Sequence, residues 1–379
     1  MRPGLWLAVA WLLLSASVVG AQTVAVAPVD EPPSREAGPD VGLERRQPLP
    51  TPPEPSLFTF NIEARGGVQW VIDPPRARDD VFGFGALDLV LTARPTPTFT
   101  FLVDVESVGG PGPDAGLHSL TGVNQESDRL EGKDARVFLR EAWIRLQSAG
   151  GGVRFNVGKI DIQHYFDRNF FAEDETRQFL NSGLLSNPLL ASPPTGLGSS
   201  LRISQGDWRF ALGVLQLDDV TGDNSGVPYL VGELGRRNIF PLKGHYRWWA
   251  RGGSVPERRD DLTWGTGVSI DQLVTETTGL FVRAGLGRSD GDRVLSHSAS
   301  AGVQHTPAWL GRDKDLVGIG YGFLREPDGR EHVAETYYNL SLAECCSLIA
   351  NVEWLRSRPA GHRHDAHRVL PGLRAVILF

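Results

Sequence analysis

The chain has 379 residues, a formal net charge of −7, 41% hydrophobic residues, 44 glycines and only two cysteines. The acidic balance disfavours nucleic acid and anionic membrane surfaces as partners, and two cysteines are too few for a disulfide scaffold. The length allows two soluble domains or one large β-architecture.

The first segment, residues 1–21, has the pattern of a secretory signal sequence. It begins with Arg2, continues with an apolar stretch from Leu5 to Val19, and ends in small residues at Gly20 and Ala21. The apolar stretch is shorter than the roughly 20 residues that span a bilayer. Cleavage after Ala21 is therefore favoured over a retained anchor helix. After this stretch, no segment of the sequence is a candidate transmembrane helix.

The second segment, residues 22–56, is rich in proline and poor in large apolar residues. Its prolines are Pro28, Pro32, Pro33, Pro39, Pro48, Pro50, Pro52, Pro53 and Pro55. This composition predicts a disordered or extended periplasmic leader. A role in binding a partner is the alternative.

From residue 57 onward the sequence consists of short alternating runs separated by turn residues. The run 98–108 places Phe99, Phe101 and Val103 on one face and Asp104 and Glu106 on the other. This period of two indicates β-strands, in a soluble sandwich or in a membrane barrel. Three observations favour the barrel. The signal sequence exports the chain, and the runs are about 9–13 residues long, where a tilted spanning strand needs about 9–11. Aromatic residues also lie near strand ends, as at 245–250.

The strand count agrees with a closed barrel. Seven strands are predicted before residue 219, at 57–71, 81–93, 98–108, 135–148, 152–162, 197–205 and 208–218. Eight follow residue 240, at 241–250, 261–270, 279–288, 295–305, 315–325, 334–344, 347–357 and 367–379. Because bacterial barrels have an even number of strands, a further strand is expected between 219 and 240, and 227–235 fits. The fold class is therefore all-β, a transmembrane antiparallel 16-stranded β-barrel.

The last residues, 373–379, place Leu373, Ala375, Ile377 and Phe379 on one face and Arg374 on the other. Chain ends are usually frayed and polar, so an apolar face that reaches the last residue predicts a pinned strand. We expect this strand to pair with the first strand and to present its apolar face to lipid.

The longest segment between strands is residues 163–196. It carries Tyr165, Phe166, Phe170, Phe171 and Phe179, and so many apolar side chains disfavour disorder. We expect this loop to fold into the barrel.

Several stretches resemble the carbohydrate-selective porins of the OprB type. They are VGKIDIQHYFDRNFFAEDETRQFLNSGLLSNP (157–188), GELGRRN (232–238), GTGVSIDQLVTETTGLFVRAG (265–285), RDKDLVGIGYG (312–322), ETYYNLSL (335–342) and LPGLRAVILF (370–379). The resemblance spans residues 135–379 and departs from the pattern at the cysteine pair in 343–354. It implies an outer-membrane porin for passive diffusion of sugars such as glucose, with the long loop as a constriction. A terminal Phe such as Phe379 is implied to be the signal for the barrel-assembly machinery.

The apolar faces of the strands define an opposite, lumen-facing set of mixed charge. With the loop candidates, the predicted pore-lining residues are Glu141, Trp143, Arg145, Arg154, Asn156, Asp167, Arg168, Glu173, Asp174, Arg177, Glu233, Arg247, Arg283, Glu335, Tyr337, Asn339, Glu353 and Arg374. Neither sign dominates, which suits a neutral polyol whose hydroxyls donate and accept hydrogen bonds. Alternatively, these residues solvate the wall, pair with one another or tie the loop down.

Other chemistry is not expected. His362, His364 and His367 lie in a stretch interpreted as a solvated outer loop, and the glycine-rich 318–324 opens no helix. Cys345 and Cys346 are assigned no chemistry, although a vicinal disulfide is conceivable. We expect no catalytic residues, no metal and no cofactor.

The competing functions are an unselective or anion-preferring porin, an outer-membrane enzyme and an adhesin. The expected partners are small sugars, outer-membrane lipid and the assembly machinery, with a homotrimer as an open alternative to a single barrel.

Overall fold

The computed structural model describes residues 57–72, 81–110, 112–117, 119–128, 135–190, 195–218, 224–255, 258–289, 295–307, 312–327, 329–359 and 364–379. The predicted signal sequence and the leader at 22–56 lie outside these residues. Within the described ranges, no helix is long and apolar enough to cross a membrane.

The described residues form sixteen antiparallel strands, each hydrogen-bonded to its neighbours in sequence. The strands are β1 (Phe58–Trp70), β2 (Val81–Thr96), β3 (Phe99–Gly109), β4 (Ala135–Gln147), β5 (Val153–Asp161), β6 (Thr195–Gln205), β7 (Trp208–Asp218), β8 (Asn224–Arg237), β9 (Gly244–Val255), β10 (Arg258–Leu273), β11 (Thr278–Ser289), β12 (Ser296–His305), β13 (Leu316–Glu326), β14 (Gly329–Ala343), β15 (Cys346–Pro359) and β16 (Ala366–Leu378). The predicted number is confirmed, and β8 is the strand expected between 219 and 240.

The barrel closes through its two terminal strands. β1 pairs with β16 from Glu63↔Leu378 to Gln69↔Gly372. Phe379 donates its backbone N–H to the carbonyl of Ile62 at 2.9 Å and accepts one in return at 3.2 Å. The last strand is thus pinned at its final residue, and no sheet edge remains at the seam.

Side chains alternate between the two faces of the wall. On β16 the outward Leu373 is 40% exposed, whereas the inward Arg374 is 2% exposed. On β14 the inward Glu335, Tyr337 and Asn339 are all buried. Apolar side chains therefore cover the face that meets lipid, and polar side chains point into the lumen.

A β-bulge in β4 breaks this alternation. The register with β3 shifts between Asp104↔Glu141 and Val105↔Leu139, so one residue of β4 has no residue of β3 opposite it. As a result both Arg140 and Glu141 are buried on the inner side. Period-two counting selected Glu141 and passed over Arg140 for this reason.

Two strand ends differ from the sequence-based expectation. His367, the first residue of the predicted strand 367–379, lies within β16 and pairs with Arg356, so its interpretation as part of an outer loop is wrong. At the opposite end of the barrel, Cys345 lies in the turn between β14 and β15, and Cys346 begins β15. Both are free thiols, with their sulfurs 3.0 Å apart.

Candidate functional site

The long loop after β5, here loop A (residues 162–190), begins with one 3-10 turn, Ile162–His164. The carboxylate of Asp161 caps this turn by accepting the backbone N–H of Gln163 at 3.0 Å. Near its other end lies a short helix, α3 (Ser182–Leu185), capped by the side chain of Asn181. Caps of this kind satisfy backbone groups that would otherwise be unpaired away from water.

Loop A is anchored by apolar side chains that the sequence singled out. Phe166, Phe171 and Phe179 are 1%, 3% and 0% exposed. Phe179 packs edge-on against Tyr337 of β14, with ring centroids 5.0 Å apart. An inward glycine, Gly279 of β11, leaves room for Phe171, because a β-carbon there would lie 1.9 Å from its ring.

A polar node at Asp167 fixes the first half of loop A. Its carboxylate accepts the indole N–H of Trp249 at 2.8 Å and pairs with Arg283 at 2.9 Å. Arg283 also donates to the carbonyls of Ala172 at 2.7 Å and Leu184 at 2.9 Å. These bonds hold Asp167 at a φ of 55°, a conformation that costs energy for a residue other than glycine.

The surroundings of Asp167 raise its pKa to about 6. Burial is the largest cause, and the neighbouring carboxylate of Glu233 adds to it. Arg283, Trp249 and the backbone N–H of Asn187 act in the opposite direction. Asp167 is therefore one of the groups in the loop's attachment whose charge changes near pH 6.

The second half of loop A is held by inward side chains of β14, β15 and β16. Glu335 accepts the backbone N–H groups of Leu180 and Asn181 at 2.9–3.0 Å. Arg374 donates to the carbonyl of Glu175 at 2.8 Å. Glu353 accepts a hydrogen bond from the side chain of Asn181. Asn339 donates a hydrogen bond to the carbonyl of Arg177.

A further segment, loop B (residues 112–117 and 119–128), also packs against inward side chains, and the sequence pattern did not predict it. It contains two four-residue helices, α1 (Asp114–Leu117) and α2 (Gln125–Asp128). Glu331 of β14 accepts the backbone N–H groups of Leu120 and Thr121 at 3.0 and 2.9 Å. Loop B has few large apolar residues, so aromatic density gave no signal for it.

The opposite end of loop B joins a charged cluster on β1–β3. Arg65 lies within 2.6–3.0 Å of Glu63, Asp88, Glu106 and Glu126, the last of which belongs to loop B. All five side chains are almost fully buried. Because four carboxylates share Arg65, removing this arginine would be costly, since it would leave buried negative charges without it.

Loops A and B contact each other through their backbones. Gln125 donates to the carbonyl of Leu180 at 3.1 Å, and Ser182 donates to that of Gly122 at 3.0 Å. Together the two loops form one layer held by inward side chains of β1, β9, β11, β14 and β16.

An opening of about 350 Å³, continuous with solvent, remains beside this layer. Its lining is Gln125, Arg140, Gln163, His164, Phe166, Asp167, Glu173, Glu175, Leu185, Ser186, Leu190 and Arg283. The set mixes amides, carboxylates, arginines and a hydroxyl with an aromatic ring. It can therefore donate and accept hydrogen bonds around a neutral solute.

One edge of this opening is a network that starts at the bulge. Arg140 donates to Asp161 at 3.1 Å, and Glu141 contacts His164 at 2.8 Å. Burial lowers the pKa of His164, but the carboxylates of Asp161 and Glu141 outweigh it, so that the pKa is raised from its ordinary value. The edge thus carries charges of both signs.

A second opening lies under loop A, at the periplasmic ends of β4–β6. It is lined by Arg145, Arg154, Asn156, Tyr165, Phe166, Ser200, Leu201, Arg202 and Ala211. Arg145 stacks over the ring of Trp143 at 4.5 Å and donates to Asn156 at 2.7 Å. Three of the lining residues are arginines, and no aspartate or glutamate lines this opening.

The structure divides the predicted pore-lining residues between these places. Glu173, Asp167 and Arg283 line the first opening, and Arg145, Arg154 and Asn156 line the second. Glu335, Asn339, Glu353 and Arg374 bind the backbone or side chains of loop A. Trp143 and Tyr337 are buried.

The remaining predicted residues hold local contacts. Glu233 accepts the backbone N–H of Asp167, and Arg247 pairs with Asp271 at 2.7 Å. Within loop A, Arg168 pairs with Glu173 at 2.6 Å, Asp174 accepts from Thr176, and Arg177 is buried. Among the described residues, no three His, Cys, Asp or Glu side chains are placed to hold a metal ion.

Comparison with known proteins agrees with this architecture. Residues 246–379 match the model of the carbohydrate-selective porin, OprB family. An uncharacterized protein of Aquifex aeolicus (strain VF5) is 33% identical over 226 residues, which are 59% of this chain and 66% of that protein. The chain therefore spans just under two thirds of that relative's length.

Solved porin structures share the fold at low sequence identity. The high-pH structure of Pseudomonas putida OprB is 14% identical with a TM-score of 0.68, covering 85% of this chain and 94% of that one. An anion-selective porin from Comamonas acidovorans is 12% identical with a TM-score of 0.54, covering 85% and 99%. A trimer form of OmpT of Vibrio cholerae is 11% identical with a TM-score of 0.54, also covering 85% and 99%.

The resemblance to the carbohydrate-selective porins is thereby confirmed over residues 246–379, and the fold is that of the β-barrel porins of the Gram-negative outer membrane.

Proposed function

We propose that this porin lets small neutral carbohydrates diffuse passively through the opening between loop A, loop B and the wall at β4 and β11. The observation that supports this most is the mixed lining of that opening, where hydrogen-bond donors, hydrogen-bond acceptors and charges of both signs lie together. Sugar hydroxyls can exchange water for such partners. Loops A and B would then set the width of the channel. The proposal gives the chain no enzymatic role.

The test is the single-channel current of the refolded full chain in a planar bilayer, before and after addition of glucose, maltose or triethylene glycol. We expect the two sugars to reduce the current and the glycol to leave it unchanged. An equal effect of all three solutes would remove the sugar preference, and absence of conductance would refute the channel.

A matched pair of variants locates the sugar path. Gln163→Leu removes an amide that lines the opening and donates to Ser186 at 3.2 Å. Gln216→Leu changes an exposed outward residue of β7 and serves as the control. We expect the sugar effect to fall by about tenfold in the first variant, as for loss of one well-placed hydrogen bond, and to persist in the second.

Preference for small anions is the second candidate, supported by a separate observation. The opening under loop A is lined by Arg145, Arg154 and Arg202, and cationic rings favour anions. Reversal potentials in a KCl gradient measure this directly. Selectivity for chloride that Arg202→Gln weakens would support it, and an unselective current would count against it.

We also infer that the barrels assemble as homotrimers, an inference that rests on the trimer form of the Vibrio cholerae neighbour. Light scattering of the detergent-solubilised protein gives the mass directly. A monomer mass at all protein concentrations would refute this.

A further inference from the structure

The outward face of β13–β15 carries a group of arginines near the outer ends of these strands. Arg330, Arg356 and Arg358 have side chains that are 40%, 41% and 38% exposed. They alternate with inward residues that are buried, such as Glu331 and Leu355. Their guanidinium groups therefore lie on the membrane side of the wall and take no part in the lumen.

All three arginines converge on one carboxylate, that of Asp365. Arg358 lies 2.6 Å and Arg330 lies 3.4 Å from it, and Arg356 binds it with two nitrogens, one of them at 2.6 Å. Hydrogen bonds from Arg356 and, to a smaller extent, from Arg358 hold the pKa of Asp365 well below its usual range. One permanent negative charge therefore faces three positive charges, and Arg325, exposed on the neighbouring β13, adds a fourth.

An aromatic layer lies directly below the arginines on the same outward face. His332 packs against Phe323 in a tilted arrangement, with ring centroids 4.8 Å apart, and contacts the hydroxyl of Tyr321 at 2.6 Å. Trp354 lies next to His367 of β16, at 6.0 Å between centroids. Aromatic girdles of this kind mark the level where hydrocarbon meets headgroups.

The height of the arginines agrees with that level. On β15 the outward apolar residues begin at Leu348, eight positions before Arg356. At about 3.4 Å per residue and a tilt of about 40°, this separation spans roughly 20 Å of the membrane thickness. The apolar band of such barrels is about 25 Å tall, so the arginines lie at its outer edge, among the lipid headgroups.

We propose that Arg330, Arg356 and Arg358 form a binding site for the phosphate of a phosphorylated glycolipid headgroup in the outer leaflet. Guanidinium groups bind phosphate in pairs of hydrogen bonds, and the surplus positive charge complements an anionic headgroup. Asp365 spaces the three arginines so that their remaining N–H groups are available to the ligand. The aromatic layer contacts the upper part of the acyl chains.

The test uses the refolded full chain in dodecyl maltoside and a diphosphorylated lipid A as the titrated lipid, with binding followed by native mass spectrometry. The variant Arg330→Gln/Arg356→Gln/Arg358→Gln should bind at least about tenfold more weakly than wild type, as for loss of several surface charges near a headgroup. The control Arg236→Gln changes an outward arginine near the periplasmic end and should leave binding unchanged. Lipid A from which both phosphates have been removed should bind wild type as weakly as the triple variant binds intact lipid.

Folding is monitored by the heat-modifiable mobility of the barrel on gels. If the glutamine variant does not refold, the corresponding triple lysine variant decides, because lysine keeps the charge but loses the paired hydrogen bonds. Reduced affinity of the lysine variant supports the site, and unchanged affinity overturns it.

Three further results would overturn the proposal. Equal binding of the dephosphorylated lipid would assign the affinity to the aromatic layer. Complete displacement of lipid A by millimolar inorganic phosphate would make this a site for free anions. Dissociation of an oligomer by the triple substitution, with lipid affinity unchanged, would make the face an interface between copies of the chain.

Discussion

Loops A and B lie side by side within the ring of strands but are held by different forces. Loop A buries Phe166, Phe171 and Phe179 and adds a polar node at Asp167. Loop B is held mainly by polar groups, above all Glu331 and the carboxylates around Arg65. An apolar anchor is visible in a sequence because it breaks the polarity expected of a loop, whereas a polar anchor is not. This difference explains why one loop was predicted and the other was not.

The largest effect is expected from Arg283→Met, which tests the polar node of loop A. The change removes the bonds from Arg283 to loop A and leaves Asp167 buried with its charge unpaired, a loss of about 3–5 kcal/mol. Amide hydrogen exchange across 167–184 should accelerate strongly, and single-channel conductance should rise. Loop B should keep its protection. Unchanged exchange in loop A would contradict the role of this node, and Arg236→Met is the matched control.

The next effect is expected from Glu331→Gln, which tests loop B. The amide of the new glutamine can accept fewer of the hydrogen bonds that Ser119, Leu120 and Thr121 donate to the carboxylate. Loss of hydrogen bonds to a charged acceptor costs the attachment of loop B about 1.5–3 kcal/mol. Because loop B has little apolar burial to compensate, its exchange at 119–128 should rise while that of 167–176 stays low. Equal acceleration in both loops would show that they form a single cooperative unit.

A smaller effect is expected from Gly279→Ala, which tests the apolar side of loop A. The added β-carbon would meet the ring of Phe171, and forcing this side chain aside costs about 1–2 kcal/mol. Gly252→Ala is the control, because nothing lies within 4 Å of a β-carbon there. We expect faster exchange around residue 171 in the first variant only. Identical behaviour of the two variants would show that Phe171 does not depend on the gap at Gly279.

The smallest effect is a pH dependence of loop A. The pKa of Asp167 is raised from 3.8 to about 6 when loop A is attached to the wall, so the attached loop favours the protonated carboxyl of Asp167. The attached state of loop A is therefore most stable at low pH, and its stability falls as pH rises through 6. Between pH 7.5 and 5 the opening constant of loop A should decrease by about tenfold, as measured by hydrogen exchange corrected for its intrinsic rate. Asp167→Asn should weaken this dependence and leave the part carried by other groups of the attachment, such as His164, whose pKa is also raised by its carboxylate neighbours, and a dependence of opposite sign would contradict it.

Much of the barrel could be predicted because its physics is local. A strand with one face in lipid must alternate at every second residue, and a chain with both ends in the periplasm must have an even number of strands. These two conditions are enough to place β8 within 219–240 from the residues alone. They also identify the inward face of β11, β14 and β16 correctly at Arg283, Glu335 and Arg374.

Period-two reasoning failed where a residue's face depends on a neighbouring strand. Arg140 points inward only because β4 carries a bulge opposite β3, and no feature of the alternating pattern signals it.

The sequence by itself determined the strand number, the closure through Phe379 and the face of most wall residues, because each follows from the requirement that a chain in lipid pair every backbone group and hide its polar side chains. Only the tertiary structure decided which inward residues bind the loops and which border an opening. Glu335 and Glu173 are the same residue type, yet Glu335 binds loop A from the wall and Glu173 borders the opening from within loop A. That choice depends on how loops A and B fill the space between strands distant in sequence, and distances of this kind are set by packing and not by the order of residues.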